Sequence, residues 1–516
     1  GPSQGNFVNN GLVPAHRAWT SELADVKKVY QYAKFPAFYA SSKRLKLQNA
    51  FAFTNLNAFS LHYTVLSDGR EVETGSVDMP SVSPGSAQFV DVPYTTEATA
   101  GKELAIRFEL RLKEATLWAE AGYPIATEQF TLQAAKPTLA AYEPSSMAQP
   151  LTIGTDANNY LVVSNAHSSF TFTTKGLLKE WKYQGHAFVR NSTQGPDYSN
   201  YRWVENDAAA GDTYATTNGI STRTLTTKPT LQADGSVVVS TSFEGSLCNT
   251  EQHYTIYPDG TWDLAVTYSP QSADLRRIGT AMTLPAELEL VDYYARGPWD
   301  NLIDHLNAAY SALYSTTVTD MFEPTPRPQT CGVRTGLREL RLSTTDGKWG
   351  FDLATEGQTD LQLLHYNDNT MSAAKHCWDI TPSNTFMHLD YMQKGLGNGS
   401  CGQGTGTLSE YLCPSEGTYT HKFRFNPFDE ADATGIHALT PAEAQPLTCT
   451  VSTDGMLTLS GHLQAGTTVT VYDLGGAAVA TATVDSDCQQ LHLNLSAQPR
   501  ASYVVKAGAR AFKVVR

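Results

Sequence analysis

Three acidic residues in the middle of the chain have the chemistry to act as acid and base on a glycosidic bond: Glu323, Asp352 and Asp390. Such a reaction needs two carboxyl groups that flank one bond, about 5 to 5.5 Å apart for retention of configuration and about 6.5 to 9.5 Å apart for inversion. No spacing in the sequence selects a pair among the three, and acidic residues usually lie on the surface or in ion pairs. We therefore predict no catalytic residue in this chain.

The histidines are spaced like strand residues and not like the ligands of a metal-binding helix. Such helices carry two histidines in an HEXXH motif, and His365, His376 and His388 do not follow it. The glycine-rich stretch 395–406, GLGNGSCGQGTG, is not followed by a helix-forming run, so it offers no helix N-terminus to a phosphate. We expect a flexible loop at this stretch and no metal ligand in the chain.

A basic, proline-rich segment at 321–342 differs from its surroundings. Three prolines within five residues hold its first half in an extended form. Four arginines follow at positions compatible with strands: Arg327, Arg334, Arg338 and Arg341. In a β domain with few charges, we expect arginines at this density to form buried pairs with carboxylates or backbone carbonyls. A role in pinning the segment between sheets or domains is our preferred interpretation, and sugar recognition is the alternative.

The overall charge argues against several classes of partner. The chain has 51 acidic residues against 37 lysines and arginines, and its formal net charge is −14. This charge repels the phosphates of nucleic acids and of anionic membrane surfaces. No stretch approaches the roughly 20 apolar residues of a transmembrane helix. We expect neither a nucleic-acid partner nor a membrane span.

The elements that must position these residues have the period-two alternation of β-strands. With 516 residues, the chain is too long for one hydrophobic core. Its composition, 41% hydrophobic but only 17% charged, favours β-sandwiches. The strand spacing predicts an all-β chain with an immunoglobulin-like sandwich over 30–136 and a large two-sheet domain over 137–428. A linker over 429–446 and a small β-sandwich over 447–516 complete this prediction.

Two local predictions concern the packing of these domains. The stretch ARGPWDNLIDHLNAAYSALY (295–314) interrupts the strands and predicts a short helix or turn with Asp300 as its cap. In the first sandwich, Trp118 is predicted to pack between the two sheets.

Three sequence motifs resemble the C-terminal part of the large bacterial β-galactosidases of glycoside hydrolase family 2. YYARGPWDNLIDH (293–305) is similar to the family's GxGPxENYxDR, and PRPQTCGVRTGLREL (326–340) is similar to its PQExGxRxxxRxL. GLVPAHRAWTSELADVKKVYQ (11–31) resembles the segment that leaves the catalytic barrel of that family. The resemblance implies that residues 1–29 follow a missing barrel. It also implies that 137–428 form a supersandwich of the galactose-mutarotase-like type.

The resemblance also implies which residues approach a sugar. In this family the catalytic glutamates and the ligands of Mg and Na lie mainly in the barrel, so no cofactor is expected in this chain. A family loop that carries an aromatic residue against the substrate matches GLGNGSCG, with Cys401 in place of the tryptophan. A second loop matches at Arg190 and Asp197. The implied rim of the sugar pocket is Asn398, Ser400, Cys401, Arg190 and Asp197.

We therefore expect the accessory C-terminal region of a retaining β-galactosidase, which supports the barrel while the full-length enzyme hydrolyses terminal β-galactosides. The expected partners are the missing N-terminal domains and, through them, the substrate; homo-oligomer formation stays open. Two alternatives remain, a mutarotase-like epimerase and a free-standing carbohydrate-binding module. The binding module would need a groove of exposed tryptophans such as Trp181, Trp203, Trp262 or Trp299. Whether the chain alone is an enzyme is left open.

The last seventy residues resemble a different module. TVTVYDLGGAAV and SYVVKAGARAFKVVR are similar to the C-terminal sorting domain that the type IX secretion system of Bacteroidetes recognises. Lys506, Lys513 and Arg516 supply the basic end of that pattern. The resemblance implies a secreted, periplasmic or cell-surface protein. A plain carbohydrate-associated sandwich is the alternative.

Overall fold

The computed structural model describes residues 11–14, 17–204, 207, 218–226, 228–273, 275–397, 406–429, 448–451, 455–463, 467–473, 477–484, 488–499, 501–507 and 510–515. Within these residues nearly all regular structure is β, which confirms the predicted all-β fold class. The chain divides into two compact units, Gly1–Ala433 and Thr434–Arg516. The first unit contains both the immunoglobulin-like sandwich and the large sandwich.

A helix, α1 (Ser21–Tyr30), precedes the first sandwich, and its N-cap Thr20 accepts a hydrogen bond from the backbone N–H of Leu23 at 3.2 Å. Seven antiparallel strands follow in two sheets, of order β1-β2-β5 and β4-β3-β6-β7. They are β1 (Ala33–Tyr39), β2 (Arg44–Asn49), β3 (Phe59–Ser67), β4 (Arg70–Val77), β5 (Ala87–Asp91), β6 (Leu104–Leu112) and β7 (Pro124–Gln133). Alternate residues of β3 and β6 point into the core, as the period of a half-buried strand requires.

The large sandwich consists of twenty strands and one short helix within the described residues. The strands are β8 (Thr152–Thr155), β9 (Leu161–Ser164), β10 (Ser168–Phe172), β11 (Leu178–Tyr183), β12 (His186–Val189), β13 (Asp197–Ser199), β14 (Ile220–Leu225), β15 (Thr230–Leu231), β16 (Val237–Gly245), β17 (Cys248–Ile256), β18 (Trp262–Pro270), β19 (Arg277–Leu284), β20 (Leu288–Gly297), β21 (Tyr310–Thr317), β22 (Val333–Arg334), β23 (Glu339–Thr344), β24 (Trp349–Glu356), β25 (Asp360–Leu364), β26 (Thr385–Gln393) and β27 (Tyr419–Asp429). The helix is α2 (Asp368–Ala373). Ten of the strands form one sheet, which begins β14-β16-β17-β18-β27 and ends at β21. Two five-stranded sheets, β12-β11-β10-β9-β8 and β13-β19-β26-β25-β22, complete the supersandwich.

Aromatic side chains fill the interior of the large sandwich. Trp181 and Trp262 are fully buried, with ring centroids 5.0 Å apart, and Trp262 stacks on Phe425 at 4.2 Å. Burial of such large rings supplies much of the hydrophobic stabilisation of a core. Trp181 and Trp262 therefore do not line the groove of exposed tryptophans that the binding-module alternative requires.

The immunoglobulin-like sandwich and the large sandwich are joined by hydrogen bonds and an ion pair. Glu103, which is buried, accepts a hydrogen bond from the hydroxyl of Tyr294 at 2.7 Å and pairs with the guanidinium of Arg338 at 2.9 Å. The side-chain amide of Gln129 donates to the carbonyl of Ser311 at 2.8 Å and accepts from its N–H at 2.9 Å. The contacts of Gln129 fix β7 against β21, and those of Glu103 join the start of β6 to β20 and to the residue before β23.

The second unit is a small sandwich with its own core. Its two sheets have the orders β28-β29-β32 and β31-β30-β33-β34. The strands are β28 (Thr448–Val451), β29 (Met456–Leu463), β30 (Thr468–Tyr472), β31 (Ala478–Thr483), β32 (Cys488–Asn494), β33 (Ser502–Ala507) and β34 (Arg510–Val515). Leu457, Val471, Tyr503 and Val505 are buried between the sheets. The predicted small C-terminal β-sandwich is confirmed.

Two local predictions differ from the structure. Residues 298–309 form turns, one of the two forms that we predicted, but Asp300 accepts a hydrogen bond from the N–H of Val333 at 2.5 Å and caps no helix. Trp118 is 66% exposed and contacts the edge of Tyr123, so it does not pack between the sheets. For Asp300, a contact distant in sequence overrides the local pattern. For Trp118, the conformation of its loop leaves the side chain exposed.

Candidate functional site

The glycine-rich loop is held at both ends by the large sandwich. Just before it, the guanidinium of Arg202 donates hydrogen bonds to the carbonyls of Lys394 and Gly395, the second at 3.1 Å. Just after it, the hydroxyl of Thr407 donates to the same Gly395 carbonyl at 3.2 Å. We call Arg202, Asp207, Lys394 and Gly395 the loop base. These contacts bring the two ends of the loop together at one point of the sandwich.

A buried ion pair lies at the centre of the loop base. Arg202 and Asp207 are almost fully buried, and two nitrogens of Arg202 donate to the two carboxylate oxygens of Asp207 at 2.8 and 3.1 Å. Burial opposes the ionisation of Asp207, but the guanidinium of Arg202 and its hydrogen bonds lower the pKa of this carboxyl below its ordinary value. The Nζ of Lys394 and the Nε of Arg276 each lie 3.9 Å from the carboxylate. The carboxylate is therefore charged and compensated at neutral pH.

A second carboxylate fixes the beginning of the loop. Asp304 accepts a hydrogen bond from the N–H of Gly397 at 2.8 Å. The backbone of Gly395 passes so close to Asp304 that a Cβ atom there would lie 2.6 Å from its carboxyl group. Gly395 also donates its N–H to the carbonyl of Tyr411 at 2.9 Å. Only glycine fits this approach without displacement of Asp304.

A buried polar network lies on the adjacent strands β19 and β26. The guanidinium of Arg277 lies 3.4 Å from the carboxylate of Asp390 and donates to the side chain of Gln362 at 3.0 Å. Burial raises the pKa of Asp390 to about 7, although Arg277 opposes this shift. Burial also lowers the pKa of His388, which is therefore neutral at pH 7. Opposite Asp390 stands Gly279, where a Cβ atom would lie 1.8 Å from the carboxylate.

The sequence-predicted rim residues fall into two groups. Asn398, Ser400 and Cys401 lie outside the described residues. Arg190, on the surface, has its Nη2 3.7 Å from a carboxylate oxygen of Glu287. Asp197 pairs with Arg223 at 2.6 Å, and burial raises the pKa of Asp197 even though Arg223 opposes this. Their assignment to a sugar pocket stays a prediction.

The three candidate carboxylates have separate surroundings. Asp352 forms a bidentate pair with Arg341, at 2.7 and 3.1 Å. Asp390 belongs to the buried network around Arg277, and Glu323 lines a cavity beside α1. Their partners differ, and the absence of a catalytic residue from this chain stays a prediction.

The arginines of 321–342 have the structural roles that we preferred. Arg338 joins the two sandwiches through Glu103, and Arg341 pairs with Asp352. Arg334 is buried and donates to the hydroxyl of Tyr293 and to the backbone carbonyl of its neighbour Val333. The guanidinium of the fourth, Arg327, lies over an indole ring at 4.8 Å. Three of the four thus bind carboxylates or carbonyls, as predicted.

Two features are absent from the residues that the structure describes, a metal-binding cluster and a membrane-spanning helix. No group of three or more histidine, cysteine or acidic side chains in these residues is arranged to hold a metal ion. In the same residues, no helix has the length and apolar character that a bilayer span requires.

Sequence reasoning missed the loop base itself. Arg202 and Asp207 lie in a stretch, YRWVEND, that has no recognisable motif. The only available signal was an arginine and an aspartate close together in a strand-rich region with few charges. Their connection to Gly395, 193 residues away from Arg202, depends on the fold.

Two family models match the first unit. One, described as the β-galactosidase small chain, matches residues 164–425, and another, described as β-galactosidase domain 4, matches 45–133. A β-galactosidase of Priestia megaterium is 27% identical over 83% of this chain and 41% of its own length. One from Lactobacillus delbrueckii subsp. bulgaricus is 27% identical over 77% of this chain and 39% of its own length. The chain thus spans about two fifths of the length of these curated relatives.

Among solved structures, a galactose 1-epimerase from Lactobacillus acidophilus NCFM matches 54% of this chain and 98% of its own chain. Its TM-score is 0.31 and its sequence identity is 8%. A similarity this weak supports no conclusion about activity.

Proposed function

This chain belongs to the β-galactosidase small-chain family, and we propose that it is the accessory C-terminal region of a longer β-galactosidase. In this proposal the longer protein hydrolyses terminal β-galactosides with carboxylates that lie outside these 516 residues. The immunoglobulin-like sandwich and the supersandwich support the catalytic barrel. The glycine-rich loop closes one side of its sugar pocket.

The observation that carries this proposal is the buried loop base. An ion pair removed from water is costly unless its geometry is good and its remaining hydrogen bonds are made. Here Arg202 meets both requirements, because it binds Asp207 through two nitrogens and donates to two carbonyls at the start of the loop. Such contacts hold the described ends of the glycine-rich stretch in place, as the wall of a binding pocket requires.

An assay with a chromogenic β-galactoside tests the proposal. We expect no turnover by the purified 516-residue chain from a host without its own β-galactosidase, and turnover by a longer protein that includes the upstream coding sequence. Turnover by the chain alone, or an upstream sequence without a barrel pattern, would contradict the accessory role.

A substitution in the loop base distinguishes a role in the sugar pocket from general support of the barrel. Arg202→Lys keeps the charge beside Asp207, but a single ammonium cannot replace the forked contacts to both carbonyls. In the longer protein we expect a KM raised about tenfold with a smaller change in kcat. Arg341→Lys is the matched control, because it weakens a bidentate pair elsewhere. Equal effects of both variants on KM would show that the loop base has no particular role in the sugar pocket.

We further propose that the second unit is an export signal and that the protein is secreted or displayed at the cell surface. The support is the similarity of TVTVYDLGGAAV and SYVVKAGARAFKVVR to a type IX sorting domain, and their strands β30 and β33 pair with each other. Deletion of 434–516 in a host with this secretion system should retain the protein inside the cell. Unchanged export after that deletion would refute the proposal.

A further inference from the structure

A cavity of about 450 Å³ lies beside α1, away from the contacts of the loop base. Three parts of the first unit line it, with residues drawn from 11–14 and 18–22, from 298–299, and from 316–334. Its volume is in the range of small-molecule sites in proteins. None of the roles discussed above uses this cavity.

Two indole rings form one wall of the cavity. The rings of Trp19 and Trp299 have centroids 6.1 Å apart and are tilted by 32°. Trp19 remains 45% exposed, which is unusual for a tryptophan that only fills a core. The two tilted rings offer an apolar wall at the side of a half-open space.

Carboxyl groups face the same cavity. The hydroxyl of Ser21 donates to Glu323 at 2.9 Å and lies 3.4 Å from a carboxylate oxygen of Glu22. Burial, with the nearby carboxylates of Asp300 and Glu22, raises the pKa of Glu323 to about 7. The cavity therefore presents hydrogen-bond acceptors next to an aromatic wall.

The basic residues of the wall are already engaged. Arg334 is 5% exposed, and its guanidinium donates to the hydroxyl of Tyr293 and to the carbonyl of Val333. Arg327 lies over the ring of Trp203. Arg334 lies near enough to Glu323 to oppose the rise in its pKa, but its guanidinium donates its hydrogen bonds to other groups. The acidic side chains that line the cavity disfavour phosphates and other anions.

We propose that this cavity binds a neutral saccharide, with the C–H face of a sugar ring against Trp19 and Trp299 and sugar hydroxyls donating to Glu22 and Glu323. A sugar ring has an apolar face and a rim of hydroxyls, which matches the two kinds of wall. A purely apolar ligand would offer no hydrogen bond to the carboxyl oxygens that the hydroxyl of Ser21 does not contact. The site is separate from the loop base and does not depend on the accessory role.

Titration of the 516-residue chain with galactose and lactose, followed by calorimetry, tests the proposal. We expect a dissociation constant on the order of 1 mM. Trp299→Ala should weaken binding at least about tenfold through loss of the apolar wall. Trp118→Ala, at an exposed tryptophan of the other sandwich, is the matched control and should bind as the original chain does. Absence of saccharide binding, or equal effects of the two substitutions, would overturn the proposal.

The pH dependence provides an independent readout. An ionised carboxylate accepts hydroxyl hydrogen bonds more strongly than a neutral carboxyl does, so affinity should rise as pH increases through about 7. Glu323→Gln should remove this rise while keeping the fold, because its amide oxygen can still accept from Ser21. A rise that persists in Glu323→Gln would contradict the role of Glu323. Binding of tetramethylammonium in place of the sugars would identify a cation site and refute the saccharide assignment. These readouts measure binding by the chain itself, so they are distinguishable from the hydrolysis assay.

Discussion

The loop base and the cavity beside α1 both contain partly or fully buried carboxylates, but the two regions shift the pKa values of these groups in opposite directions. In the loop base, Asp207 faces Arg202, and its pKa is lowered. In the cavity, burial and then the carboxylates of Asp300 and Glu22 raise the pKa of Glu323 to about 7. The surroundings of Asp207 favour its ionisation, whereas the surroundings of Glu323 oppose it.

This difference distinguishes a charged group that stabilises the fold, Asp207, from one that we propose binds a ligand, Glu323. A buried charge with a bidentate partner holds the backbone in place, and loss of the partner is costly. A carboxyl group among like charges at an open cavity contributes less to folding and remains available to a ligand. Each prediction below tests one side of this contrast.

The largest effect is expected for Arg202→Met. This change leaves the Asp207 carboxylate buried without its bidentate partner and removes two hydrogen bonds to the loop. We expect a loss of about 3 to 5 kcal/mol in the free energy of unfolding of the first unit, measured by urea denaturation. Arg190→Ala, at a surface residue 3.7 Å from Glu287, should cost less than about 0.5 kcal/mol. Similar losses for both variants would mean that burial of the pair is unimportant.

A smaller effect is expected for Glu103→Ala, between the two sandwiches of the first unit. It leaves the hydroxyl of Tyr294 and the guanidinium of Arg338 without their shared acceptor. Because Arg338 is partly exposed, water compensates in part, and we expect a loss of about 2 kcal/mol in the same measurement. The conservative variant Tyr294→Phe removes only one hydrogen bond and should cost about 1 kcal/mol. A loss as large as that of Arg202→Met would remove the distinction between buried and part-buried pairs.

The smallest effect, and one of opposite sign, is expected for Glu323→Gln. The pKa of Glu323 is raised in the folded state, so its contribution to stability is present at low pH and is lost as pH rises through about 7. The variant should therefore be more stable than the original chain by about 1 kcal/mol at pH 8 and equal to it near pH 4. Asp352→Asn, which breaks the pair with Arg341, should instead destabilise at pH 8. Destabilisation by Glu323→Gln at pH 8 would contradict the like-charge description of the cavity.

Much of the fold could be predicted because it depends on local patterns. The alternation of apolar and polar residues in β3, β6 and β18 indicated half-buried strands, and these strands formed. The density of arginines at 321–342 correctly indicated pairs with carboxylates and carbonyls, although the pairs of Arg338 and Arg341 are only part-buried. The role of Asp300 was less predictable than the turn around it, because its partner Val333 lies on β22.

The sites were less accessible to prediction than the fold. The separations in sequence are 193 residues between Arg202 and Gly395, and 302 residues between Ser21 and Glu323. No motif records such contacts, because each residue type at these positions is common on protein surfaces. The tryptophans show the same limit, since Trp181 entered the core while Trp19 lines a cavity.

The sequence by itself determined the all-β class, the strand-rich domains and the family motifs, because these depend on composition and on the period of side chains along a strand. Only the tertiary structure decided which charges were paired, which were left among like charges, and which indoles faced a cavity. The physical reason is that the strength of an electrostatic interaction depends on distance and on exposure to water, and both are properties of the folded chain.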